Sequence, residues 1–146
     1  VFDLPPVRPH MEEQRRASGL DNRLAFVEGD FFLDALPKGD LYVLGYILSD
    51  WDRATGNVLL RKIYEHLPVG GALLILEKLF DDEGCGPVAT AMMDIAMLLE
   101  TKGQHRSARE YMAWLEEIWF TDCRVVRSSG EKHMVVGYKR GTGSAQ

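Results

Sequence analysis

The fold is decided by residues 41–77, LYVLGYILSDWDRATGNVLLRKIYEHLPVGGALLILE. Residues 41–48 are apolar at nearly every position, the pattern of a strand covered on both faces. Leu59, Leu60, Ile63 and Leu67 then recur at helical spacing, with Ser49, Asp50 or Asp52 available to cap the helix and Pro68, Gly70 and Gly71 to end it. Residues 72–76 are a second apolar strand. Strand, helix and strand in this order predict a parallel crossover unit, and open α/β sheets bind ligands at the carboxyl ends of such strands. Ser49 and Asp50 follow one such end and Glu77 stands at the other. Gly70 and Gly71 precede a strand, so they turn the chain into the sheet instead of opening a phosphate-cradling helix.

The pattern extends in both directions. Upstream, Phe2 and Asp3 read as the end of a strand, and residues 24–27 form a short apolar strand running into Gly29, Asp30 and Phe31. Downstream, Pro87 suits the first turn of a helix that runs to Gly103 and is apolar nearly all round through Met92, Met93, Ile95, Met97, Leu98 and Leu99, with Asp94 marking its exposed side. Ser107 and Glu110 fit a capping box ahead of a stripe made of Tyr111, Trp114, Leu115, Ile118 and Trp119. Residues 123–127 and 133–138 read as two strands around a turn, an antiparallel finish to a mostly parallel sheet. Residues 1–140 are thus expected to form part of one domain, and 141–146 a flexible polar tail.

Composition narrows the function classes. The 146 residues are 46% hydrophobic, enough for a sizeable core. Seventeen basic and twenty-two acidic residues give a net charge of −5, with no basic stripe, which argues against nucleic acid. The apolar runs are too short to span a bilayer, so no membrane partner is expected. Cys85 and Cys123 have no neighbours at metal-ligand spacing; no metal site and a reducing, cytoplasmic setting are the expectation.

At residues 1–5 (VFDLP), 28–32 (EGDFF), 41–52, 68–83, 92–107 and 110–120, the chain resembles the S-adenosylmethionine-dependent small-molecule O-methyltransferases, in order and spacing over nearly all of residues 1–138. The resemblance implies a Rossmann-like class I methyltransferase α/β sheet, incomplete because its first strand and Gly-rich loop would lie upstream of Val1. It also implies a homodimer built through an N-terminal domain, also upstream. It implies S-adenosyl-L-methionine as cofactor, bound through Asp3 at the ribose and through Gly29, Asp30 and Phe31 at the adenine. The acceptor would be a small aromatic hydroxyl compound of the hydroxyindole or N-acetylserotonin-like kind, faced by Asp50, and Glu77 would match a carboxylate that orients the catalytic histidine.

The chain departs from that pattern around the chemistry. Ser49 stands where the family has its histidine, Gly45 and Tyr46 where a basic residue precedes it, and His105 where a second glutamate belongs. Ala96 and Glu100 replace an asparagine and a glutamine facing the acceptor. A serine hydroxyl has no usable basic form without another base to activate it. One expectation is therefore that the imidazole has crossed the pocket, with His105 as base and Glu77 as its orienting carboxylate. The other is a catalytically impaired paralogue or truncated product that binds cofactor or a partner subunit without turnover.

Overall fold

A computed structural model describes residues 1–141, so the tail expected over 141–146 lies outside the described residues beyond Gly141. The chain divides into two compact units, Val1–Lys38 and Gly39–Gln146.

In the first unit, β1 (Phe2–Asp3) pairs in parallel with β2 (Val27–Glu28), Phe2 opposite Val27 and Asp3 opposite Glu28. Between them, a 3-10 turn at Pro5–Val7 leads into α1 (Arg8–Ala17). The strand expected over residues 24–27 is shorter and displaced, because Val27 is where the ladder to β1 begins. Helix α1 has no counterpart in the sequence reading: half of its residues are charged and none is buried, so no apolar period announced it.

The second unit is a four-stranded sheet with helices. Its strands are β3 (Leu41–Gly45), β4 (Ala72–Lys78), β5 (Thr121–Val126) and β6 (Lys132–Tyr138), in the spatial order β3-β4-β6-β5. β3 and β4 are parallel, Leu41 opposite Ala72 and Gly45 opposite Leu76, and the crossover between them is α2 (Arg53–His66). β6 runs antiparallel to both β4 and β5, as the turn-rich link between the last two strands predicts. α3 (Val88–Glu100) and α4 (Ala108–Glu117) lie in the chain between β4 and β5. This is the expected α/β architecture with a mixed sheet.

Local signals account for the helix boundaries. Asp52 is the cap chosen for α2, accepting from the backbone N–H of Thr55 at 2.8 Å and so satisfying one of the helix's free N-terminal donors. At the other end, Gly70 takes φ +87° and the Lys139 ammonium reaches the carbonyls of Tyr64 and Leu67, at 2.7 and 2.8 Å. Leu59, Leu60 and Ile63 carry the buried face of α2, each worth about 1.5–3 kcal/mol relative to exposure. Gly56 allows α2 to meet α4 closely, since a Cβ there would lie 2.5 Å from the Trp114 ring. Ser107 and Glu110 form both halves of the capping box of α4.

Three expectations are corrected. β3 ends at Gly45 and is exposed along one face, with the alternate residues Leu41 and Val43 about half accessible, because the described residues of this unit leave that face uncovered. α3 is not core: Val88, Met92, Ile95 and Leu99, four positions along one face, are exposed. α4 stops at Glu117, and Trp119, at φ +80°, turns outward instead of completing the stripe.

Candidate functional site

Beyond Gly45 the strand direction breaks. Tyr46 adopts φ +54° while its N–H still reaches the Leu76 carbonyl, and the chain closes into a 3-10 turn at Leu48–Asp50. That turn brings Ser49 over the end of β4, where the alternation of the strand points Leu73, Ile75 and Glu77 inward. Glu77 is entirely buried and takes two hydrogen bonds from one residue: Ser49 N to Oε1 at 3.2 Å and Ser49 Oγ to Oε2 at 3.0 Å. Burial pushes the Glu77 carboxyl up to about 7; the two Ser49 donors pull it down, and the neighbouring Asp50 charge raises it further. Asp50 is half-buried, and burial raises its carboxyl too, with the charge of His105 acting against it.

The connector between α3 and α4 clamps this turn. A Cβ at Gly103 would stand 1.8 Å from the Ser49 carbonyl oxygen, so only glycine permits the contact. The buried Arg106 guanidinium donates to the carbonyls of Leu48 (3.1 Å), Trp51 (3.3 Å) and Gln104 (3.0 Å) and lies 4.7 Å over the Trp114 ring. Arg106 thus supplies donors that the tight turn cannot provide for itself. Its own carbonyl accepts from Phe80 N, which fixes the connector to the chain just after β4.

His105 sits in the same connector, with its side chain fully covered. Asp94 Oδ1 accepts from the His105 backbone N–H at 2.5 Å and stands 3.4 Å from the ring Nδ1. Among the described residues neither ring nitrogen has a hydrogen-bond partner. The expected partnership of His105 with Glu77 is corrected: Glu77 is engaged by Ser49, and the carboxylate beside the imidazole is Asp94. Asp94 therefore does not simply mark an exposed helix side. Asp94, Gly103 and Arg106 escaped the sequence reading because each acts through a contact set by the fold, not by local spacing.

In the unit Val1–Lys38, the parallel pairing sets Asp3 and Gly29–Asp30 at adjoining strand ends, with Gly29 N donating to the Asp3 carbonyl at 3.0 Å. Asp3 Oδ1 accepts from Leu4 N, and Asp30 Oδ1 from Phe32 N, each at 2.8 Å, so one oxygen of each carboxylate shapes its own turn. A Cβ at Gly29 would lie 2.5 Å from the Phe2 ring, which explains the glycine. Phe31 packs edge-on to Phe32, ring centroids 4.7 Å apart. Among the described residues, no group of three or more His, Cys, Asp or Glu is placed to hold a metal, and no helix is long and apolar enough to cross a membrane.

A parallel crossover unit with an antiparallel last strand is an α/β architecture of the kind found in class I methyltransferases. The chain belongs to the O-methyltransferase domain family, whose model matches residues 1–121. It is 39% identical to bovine (Bos taurus) acetylserotonin O-methyltransferase over 139 residues, covering 95% of this chain and 40% of that protein. It is equally 39% identical over 142 residues to the 3-hydroxy-5-methyl-1-naphthoate 3-O-methyltransferase of Streptomyces sahachiroi, covering 95% and 41%. Its structure matches the crystal structure of human N-acetylserotonin methyltransferase in complex with SAM at a TM-score of 0.87 and 32% identity, over 97% of this chain and 40% of that one. The chain spans about two fifths of the length of these relatives.

Proposed function

We propose that the protein carrying this chain is an S-adenosylmethionine-dependent O-methyltransferase acting on a small aromatic hydroxyl compound, with N-acetylserotonin-like hydroxyindoles as the first acceptors to test. The carrying observation is the placement of Asp3 and Asp30 at adjoining ends of parallel strands, in a chain of this family.

These residues fit the cofactor by their chemistry. Each carboxylate spends one oxygen on its own turn, which leaves the other to accept: Asp3 from ribose hydroxyls, Asp30 from the adenine amino group, with Gly29 and Phe31 beside it. When bound, the cofactor supplies an electrophilic sulfonium methyl group. On the acceptor side, Asp50 is exposed enough to meet a hydroxyl, while Ser49, Glu77 and His105 are buried around the same turn. Methyl transfer requires that proton to leave as the oxygen attacks in line, so positioning and a base are what the protein must add. Relatives that act on an indole and on a naphthoate leave acceptor identity to experiment. A homodimer of the natural protein and a cytoplasmic setting, consistent with the free Cys85 and Cys123, complete the proposal.

The test is calorimetric binding of S-adenosylhomocysteine to the natural protein, followed by transfer of labelled methyl to a panel of hydroxyindoles and naphthols. Absence of binding would overturn the reading. One observation favours a second: Ser49 stands in the histidine position and its hydroxyl is committed to Glu77. Binding without transfer to any acceptor would identify a non-catalytic paralogue.

A further inference from the structure

Ser49, Asp50, Glu77 and His105 surround the turn after β3, and they differ in whether a substrate can touch them. Ser49 is 1% exposed, Glu77 not at all, and His105 3% with its ring fully covered. These three are covered by the chain's own atoms, and any further protein packed here can only cover them more. Asp50 is the half-buried member, and it lies on the same turn as Ser49. Two other carboxylates nearby are already employed: Asp94 accepts from His105 N, and Asp52 caps α2, which holds its carboxyl below the ordinary range.

We propose that Asp50 is the general base of the methyl transfer described above, a proposal that rests on that reading. Its carboxylate takes the proton of the acceptor hydroxyl as the oxygen attacks the sulfonium methyl carbon. The carbon–sulfur bond breaks with its electron pair left on sulfur. The products are a methyl ether, a neutral thioether and a protonated Asp50, which returns its proton to solvent.

The surroundings of Asp50 suit this work. Its backbone is held on both sides, by Gly103 against the Ser49 carbonyl and by Arg106 on the carbonyls of Leu48 and Trp51. A base fixed to this extent gives up little freedom when an acceptor arrives. Partial burial makes the carboxylate more basic than a solvated one, which strengthens it as a proton acceptor without removing it from contact. Ser49 does not compete for the role, since its hydroxyl is donated to Glu77.

The test compares Asp50→Asn, Asp50→Glu and His105→Gln in the natural protein, with acceptors ranging from neutral phenols to nitrophenols already ionised at the assay pH. Asp50→Asn should lower kcat on neutral phenols about 10²- to 10⁴-fold, with KM within a few-fold, and recover near wild-type kcat on ionised acceptors that need no base. Asp50→Glu should recover part of the loss. Calorimetry should give an unchanged Kd for S-adenosylhomocysteine, which also certifies that each variant is folded. An equal loss on all acceptors, or the acceptor-dependent pattern in His105→Gln instead, overturns the assignment. Wild-type protein that binds S-adenosylhomocysteine but methylates no acceptor also overturns it, whereas failure to bind overturns the proposed function.

Discussion

Glu77→Gln should make the protein more stable at alkaline pH while leaving it unchanged at acid pH. The unfolded carboxyl titrates near its ordinary 4.5, the folded one near about 7, raised first of all by burial. Between those values the folded chain keeps a proton that the unfolded chain has released. The stability from this group is therefore complete below about pH 4.5, falls through the window and is gone above about 7, a total of about 3 kcal/mol. Because Glu77 has no exposure, solvent screening does not reduce that figure. Glutamine keeps the shape and satisfies both contacts: its carbonyl accepts from Ser49 N, and its amide donates to a Ser49 hydroxyl turned to accept. The variant should therefore match the wild type near pH 4.5 and exceed it by about 3 kcal/mol at pH 8, read from urea midpoints at several pH values. Parallel pH profiles for the two proteins, or a less stable variant at pH 8, would show that Glu77 is already ionised in the fold.

Gly103→Ala should drive a methyl group into the Ser49 carbonyl, costing about 1–3 kcal/mol in urea unfolding and lowering kcat by displacing Asp50. Arg106→Lys cannot span the carbonyls of Leu48, Trp51 and Gln104 together, and a loss of about 1–3 kcal/mol is expected in the same assay. Ser49→Ala removes one donor to Glu77, so the pH at which stability is lost should move upward from about 7.

Much of the second unit was legible in the sequence because its signals are local. The apolar runs of β3 and β4, the helical spacing of Leu59, Leu60 and Ile63, the Ser107–Glu110 box and the β5–β6 turn each fall within a dozen residues. Exposure was less legible. Continuous apolar character in β3 and α3 suggested burial, but burial depends on what packs against a face, and Val43 and Met92 are exposed. At the candidate site, the positions of Ser49, Asp50 and Glu77 followed from strand ends. The link between His105 and Asp94 spans eleven residues and a helix terminus, and Arg106 reaches the Leu48 carbonyl across fifty-eight; no spacing rule encodes either.

The clamp on the Leu48–Asp50 turn is made largely through main-chain carbonyls, those of Leu48, Ser49 and Trp51. Holding a loop by its backbone separates architecture from side-chain chemistry: the Ser49 hydroxyl bonds Glu77 and takes no part in the clamp. Ser49 is nevertheless buried and its hydroxyl is bonded to Glu77, so engineering an imidazole there through Ser49→His would need space opened around the position. The same separation makes Gly103 and Arg106, not Ser49, the residues that random mutagenesis of this segment should find least replaceable.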